Sequence, residues 1–158
     1  MPTSIFKIFR PDEQKLKFLA QQLMDGYLNL SDERRNWKTI DFLIKYHFHP
    51  ETKNIFYEAG DFGAILGFVD IIPGHKCKLS MKVWDKKPWG KKSVREAREL
   101  IKTTMKKFRL KRLEAETPDE RVVKMAKMVG FEIEGTKVLN FRWNGEFFPT
   151  YIMSIINE

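Results

Sequence analysis

Residues 76–97, KCKLSMKVWDKKPWGKKSVREA, run from a strand through a lysine-rich loop into a helix. Lys76 to Trp84 form a strand-like run, while Asp85 to Lys92 bring together lysines, a proline and a glycine, which marks a loop. From Ser93 the period changes. Val94, Ala97, Ile101, Met105 and Phe108 fall on one side of a helix and charged residues on the other.

Upstream, Asn54 to Ala59 and Ala64 to Ile72 are also strand-like. Gly60-Asp61 and Pro73-Gly74 separate these runs, so the spacing predicts a three-stranded antiparallel meander that ends in the opening stretch. Before it, Ser4 to Phe9 read as a strand and Pro11-Asp12 as a helix start. Leu16, Leu19, Ala20, Leu23 and Tyr27 make one buried stripe. Ser31 is expected to cap a second helix that buries Trp37, Ile40, Leu43, Ile44 and His47 and stops near His49, ahead of Pro50. Downstream, Lys111 to Glu116 form a short strand and Thr117-Pro118-Asp119 open another helix. That helix has a stripe of Val122, Met125, Ala126 and Val129 and stops at Gly130. Phe131 to Trp143 and Glu146 to Ile155 flank Asn144-Gly145, a strong hairpin signal because both turn positions need positive φ.

The bulk properties agree with a folded chain. Its 158 residues suffice for one core, and an apolar share of 42% with 13 phenylalanines excludes a mostly disordered protein. No apolar run reaches the length needed to span a bilayer, and MPTSIFKIFRPDEQ has no stretch suited to a secretory signal. Cys77 is the only cysteine, so no internal disulfide can form, and a cytoplasmic location is expected. Without a repeat or linker, one domain over 1–158 is the expectation. The net charge of +8, much of it between Lys76 and Arg112, suits anionic partners: nucleic acid, anionic lipid, an acidic protein or a phosphorylated cofactor. A solvated basic face is the plainer alternative. No zinc-ligand spacing or aromatic RNA-binding signature is present, and no membrane association is expected.

The order strand, two helices, three-strand meander, helix, strand, helix, hairpin resembles the Gcn5-related N-acetyltransferase (GNAT) superfamily over almost the whole chain. The branch that acetylates ribosomal-protein N termini is the most similar. Its loop and helix after the fourth strand commonly read W-G-K-G-Y-A-T-E-A, and Trp89 to Ala97 read WGKKSVREA. Gly130-Phe131, Glu134-Gly135 and the closing NGEFFPTYIMSI also have counterparts in that branch. The resemblance implies an α+β (α/β/α) fold, a mixed, mostly antiparallel sheet of about seven strands flanked by about four helices. It implies acetyl-CoA as cosubstrate, an amine of a protein or small molecule as acceptor, and no metal. Backbone N–H groups of the loop and helix start would meet the pyrophosphate, and the pantetheine arm would lie between the fourth and fifth strands. The cofactor-binding positions so implied are Lys82, Val83, Trp89, Gly90, Lys91, Lys92, Ser93, Val94 and Asp119.

Several positions depart from the family. Gly90 keeps the first loop glycine, but Lys92 stands where the next glycine is expected and Val94 where a small residue is. Lys92 would either crowd the pyrophosphate or add a cation to it, with Lys86, Lys87 and Lys91 nearby. Asp119 replaces an asparagine, and as a helix cap it has a structural role of its own. Ala126 stands where many relatives place the tyrosine that protonates the leaving thiolate. His75 and Asp70 are the candidate bases, with His75 also readable as a solvated turn residue. Cys77 reads as a small buried hydrophobe, and His47 and His49 lack a third metal ligand. Trp84 reads as packing, while Trp89 is open to stacking on a base. Phe147, Phe148 and Tyr151 would line an acceptor cleft, form a dimer contact or pack in the core. An N-acetyltransferase is the leading reading. A GNAT-fold binding or structural protein that has lost the chemistry, such as a phage or assembly component, is the alternative.

Overall fold

Eleven elements alternate along the chain in the expected order: β1 (Phe6–Ile8), α1 (Glu13–Asp25), α2 (Trp37–His47), β2 (Ile55–Ala59), β3 (Ala64–Ile72), β4 (Lys76–Val83), α3 (Lys91–Lys107), β5 (Arg112–Thr117), α4 (Glu120–Met128), β6 (Glu132–Trp143) and β7 (Glu146–Ile156). They come from a computed structural model that describes residues 4–87 and 89–157. Expectations touching residues 1–3, Pro88 in the lysine-rich loop and Glu158 lie outside the described residues.

The seven strands form one sheet in the order β1-β2-β3-β4-β5-β7-β6. Every neighbouring pair is antiparallel except β4 and β5, as a connection through a helix permits. Side chains alternate across the sheet. Leu66, Phe68, Cys77, Leu113 and Met153 face Ala97, Ile101 and Met105 of α3 and Val123 and Ala126 of α4 in the main core. On the other face, Ile65 packs with Phe9 and Leu19 of α1, backed by Phe48, Phe56, Phe62 and Trp84. Gly67 sits where Phe56 crosses that face: a Cβ there would meet the ring at 2.4 Å.

The local signals act at their chemical positions. Asp12 caps α1 by accepting from Lys15 N at 2.8 Å, and Asp119 caps α4. Asn144 and Gly145 both take positive φ, 49° and 78°, in the turn between β6 and β7. Ser31 does not cap α2. Asn36 does, accepting from Thr39 N at 2.9 Å, so the helix begins six residues later than Ser31. The reason is tertiary: Asp32 is drawn to the β6–β7 turn, accepting from Asn144 N at 2.8 Å and Gly145 N at 2.9 Å, and this holds the preceding loop out of the helix. Trp37 and Tyr27, expected on buried stripes, are 54% and 49% exposed.

Charge pairs join the far half of the sheet. The Arg112 guanidinium bonds Glu114 at 2.7 Å and clasps Glu134 on β6, which also accepts from Ser154 on β7. The hydrogen bonds from Arg112 and then Ser154 hold the Glu134 carboxyl down at about 2. A carboxylate with a lowered folded pKa stabilises above its unfolded value, and the effect fades as pH falls through the folded one. Glu134→Gln is therefore expected to lower the melting temperature at pH 6, with the gap to the parent closing as pH falls from about 4.5 towards about 2. Phe68, 0% exposed, supplies a packing prediction: Phe68→Ala should cost about 3–5 kcal/mol in chemical denaturation.

Candidate functional site

Strands β4 and β5 share only three register pairs, Lys76–Arg112, Cys77–Leu113 and Lys78–Glu114. Beyond them, Leu79–Val83 stay paired to β3 and Ala115–Thr117 to β7, but not to each other. A parallel ladder that stops halfway leaves two strand edges facing a gap, with main-chain groups open to a ligand. The gap widens into a cleft of about 1380 Å³ lined by β4 from Lys78 to Val83, β5 from Glu114, the start of α4, Trp89 and the loop at residues 28–31. This exceeds the ~300–1,000 Å³ usual for drug-sized ligands and suits a longer one.

At one end of β4 the chain enters α3. Gly90 is the N-cap residue; its N–H donates to Ser93 Oγ at 2.6 Å, and that hydroxyl donates to Gly90 O at 2.8 Å. With its hydroxyl turned back on Gly90, Ser93 is 1% exposed and serves the helix start itself. Gly90 has φ −174°, open to any residue, and a Cβ there would meet nothing within 4 Å, so neither the backbone nor the chain's own packing requires glycine and the space beside it is open. Lys91 and Lys92 are exposed in the first helical turn. The N–H groups of that turn have no partner within the helix, and the helix dipole adds positive potential. Val94 packs half-buried against the main core, as does Trp89, which also lines the cleft.

Across the cleft, Asp119 is buried beside Arg121, which donates to it from Nε at 3.0 Å, from Nη2 at 2.7 Å and from its backbone N at 2.9 Å. Burial pushes the Asp119 carboxyl up, but those bonds outweigh it and the net shift is downward. Opposite it, Lys82 reaches from β4 to the carbonyl of Asn29 at 3.2 Å. Burial pushes its ammonium down to about 8 against the attraction of Asp119. Val83 lies half-buried next to it on the same strand edge.

The two candidate bases separate. His75 is exposed in the β3–β4 turn, at the end of β4 where pairing with β5 is intact, and its carbonyl accepts from Lys111 and Arg112 N. It does not line the cleft. Asp70 does: a positive φ of 53° at a β3 bulge turns it to the cleft, where Lys78 lies at 3.6 Å and Tyr46 Oη at 3.5 Å. Burial raises the Cys77 thiol to about 12, so it stays a core side chain. His47 Nδ1 lies 2.9 Å from the Leu43 carbonyl, and no group of three or more His, Cys, Asp or Glu among the described residues is arranged to hold a metal. Trp84 packs against Phe18 and Phe62 and donates to Phe62 O. No described helix is long and apolar enough to cross a membrane.

Sequence reading missed the clasp of Arg121 on Asp119, although a cap followed two residues later by arginine is a visible local pattern. It also missed the cluster where Glu116 accepts from Thr150 at 3.0 Å and pairs with Lys137 at 3.3 Å. No sequence signal joins those residues, because strand pairing alone assembles them. Phe147, Phe148 and Tyr151 do not line the cleft.

By sequence, no protein-family model and no curated protein matches the chain. By structure, it is similar to spermidine N-acetyltransferase from Vibrio cholerae solved with CoA and spermine: TM-score 0.68, 16% identity, covering 98% of this chain and 96% of that one. It is also similar to the Microcin C7 self-immunity acetyltransferase MccE solved with acetyl-CoA and AMP (TM-score 0.70, 12% identity, 98% and 94% covered). A GNAT-family acetyltransferase from Bacillus anthracis gives a TM-score of 0.68 at 13% identity, with 98% and 96% covered. The fold is the GNAT fold. In this chain the cleft at the split between β4 and β5 reaches Trp89, the residue before the N-cap of α3.

The Lys82 shift makes a stability prediction. A lysine with a lowered folded pKa opposes folding below about 8, and this opposition is relieved as pH rises from about 8 towards its unfolded value of 10.5. Lys82→Met is therefore expected to raise the melting temperature at pH 7 by about 3 °C, with the difference shrinking at pH 10.

Proposed function

We propose that the protein is an acetyl-CoA-dependent N-acetyltransferase whose acceptor is an amine of a protein or small molecule. The observation that carries this reading is the half-length β4–β5 ladder, whose cleft reaches Trp89 just ahead of the N-terminus of α3. An extended arm with amide groups can hydrogen-bond to a free strand edge as a further strand would. The pantetheine of acetyl-CoA is such an arm. Its pyrophosphate would meet the first turn of α3, where Gly90 leaves room and Lys91 and Lys92 bring positive charge. Structural neighbours solved with CoA or acetyl-CoA support the same choice of ligand.

Within this reading Lys82, Val83, Trp89, Gly90, Lys91, Lys92, Ser93, Val94 and Asp119 have different duties. The backbone of Lys82 and Val83 lines the gap, Gly90 to Lys92 face the phosphates, and Trp89, Ser93 and Val94 fix the helix start from within the core. Asp119 anchors α4 and balances charge across the cleft. Asp70 is the carboxylate in position to take a proton from the acceptor, and His75 has no place in the cleft. The ribosomal-protein branch remains our proposal on the strength of WGKKSVREA.

Ala126 lines the cleft without a hydroxyl to offer a leaving thiolate, which favours the second reading, a binding protein without turnover. The basic stretch is less suited to nucleic acid than its composition suggests, because Lys76, Lys78 and Lys102 each pair with a carboxylate.

Acetyl-CoA at a hundred times its dissociation constant should stabilise the chain by about 2.7 kcal/mol and raise the melting temperature by some ~5–10 °C. Gly90→Glu, which sets a carboxylate at the helix start without a clash, should abolish the shift. An unchanged melting curve for the parent at millimolar acetyl-CoA refutes the proposal, and stabilisation without acetylation of any amine supports the binding-protein reading.

A further inference from the structure

We infer that Lys82 is a self-acetylation site: its side chain is the amine that the fold itself places beside the β4–β5 gap, on the wall of the same cleft. The inference rests on the acetyl-CoA reading for its acyl donor. Lys82 stands four residues past Lys78, the last β4 residue paired to β5, so its backbone belongs to the open edge. Its partner in β3 is Ile65, on the face covered by α1, and its side chain therefore points to the cleft wall formed by the α1–α2 loop, where Nζ meets Asn29 O at 3.2 Å.

Five described lysines line this cleft, and Lys82 alone among them is not exposed; Lys86 and Lys124 are exposed and have no carboxylate within 4.0 Å among the described residues. Lys78 is held by Asp70 at 3.6 Å and Lys137 by Glu116 at 3.3 Å. Lys82 has no carboxylate within 4.0 Å among the described residues. Asp119 reaches it only through its field and is itself clasped by Arg121. A main-chain carbonyl holds an ammonium less strongly than a carboxylate does, and burial has moved Lys82 to about 8. Near neutral pH about a tenth of the molecules therefore carry a free lone pair on Nζ, on the order of a hundred times more than for an ordinary lysine.

The step balances with the two reactants named. The neutral Nζ attacks the carbonyl carbon of the acetyl thioester; the N–C bond forms as the C–S bond breaks, and the proton shed by the nitrogen ends on the CoA sulfur. The products are Nε-acetyl-lysine and CoA thiol. The amide no longer ionises, so the reaction stops after one acetyl group, removes a buried charge and leaves the acetyl group in the cleft.

The test uses the whole chain, acetyl-CoA and mass spectrometry, and needs no knowledge of the acceptor. The intact mass should rise by one acetyl group, and peptide mapping should place it on Lys82. Lys17, whose side chain is 77% exposed, should react at least about ten-fold more slowly. Excess CoA should suppress labelling of Lys82 but not of Lys17, and unfolding in urea should erase the preference. Lys82→Arg, which keeps a cation that does not acylate, should lose the fast label and keep only the slow labelling seen at Lys17; if that variant fails to fold, the map of the parent chain decides alone. A melting shift with acetyl-CoA but Lys82 unmodified, or modified no faster than Lys17, overturns the inference and leaves the cofactor reading intact. Neither a shift nor a modification overturns both.

Discussion

The protein depends on a ladder that stops early. Three pairs tie β4 to β5, enough to keep seven strands in one sheet, and then the strands part. Each keeps its other neighbour, β3 or β7, so the gap costs few hydrogen bonds within the chain and exposes two edges to one cleft. Sheets usually cover or close such edges. Here the cleft runs from the two open strand edges to Trp89, just ahead of the first turn of α3, whose amides have no partner within the helix.

The cleft is also held from its far side. Asp32, near the end of the loop between α1 and α2, accepts two N–H bonds from the β6–β7 turn, while Arg35 and Arg142 bring it their charge. Tyr27 meets Trp143 edge-on at 5.0 Å and Arg35 lies over the same ring. The hairpin thus fastens the loop that supplies Asn29 to Lys82. A turn specified by Asn-Gly and a loop without regular structure become one wall because a carboxylate needs donors and a type of turn with two positive-φ residues exposes them.

Much of the charge in the cleft is arranged in pairs, and Lys82 is the cleft lysine, among the described residues, that is neither paired nor exposed. Asp70 meets Lys78, Glu116 meets Lys137 and Asp119 meets Arg121, whereas Lys82 meets only a carbonyl. A buried group in that condition lowers stability at neutral pH and persists when it serves the site. Lys82 is thus a cost to the fold at neutral pH.

The sequence by itself determined the elements. Periodicity, the caps Asp12 and Asp119, the Asn144-Gly145 turn and Gly130 are local features, and local chemistry acts at the position where it is written. Only the tertiary structure decided what faces the opening. It moved the cap of α2 from Ser31 to Asn36, put His75 at the end of β4 that stays paired to β5 and Asp70 on the cleft lining, turned Val94 to the core, and set Lys82 opposite Asp119. These outcomes depend on strand register and on contacts between residues far apart in the chain. A one-residue change of register reverses which face a side chain takes, and no local pattern records it.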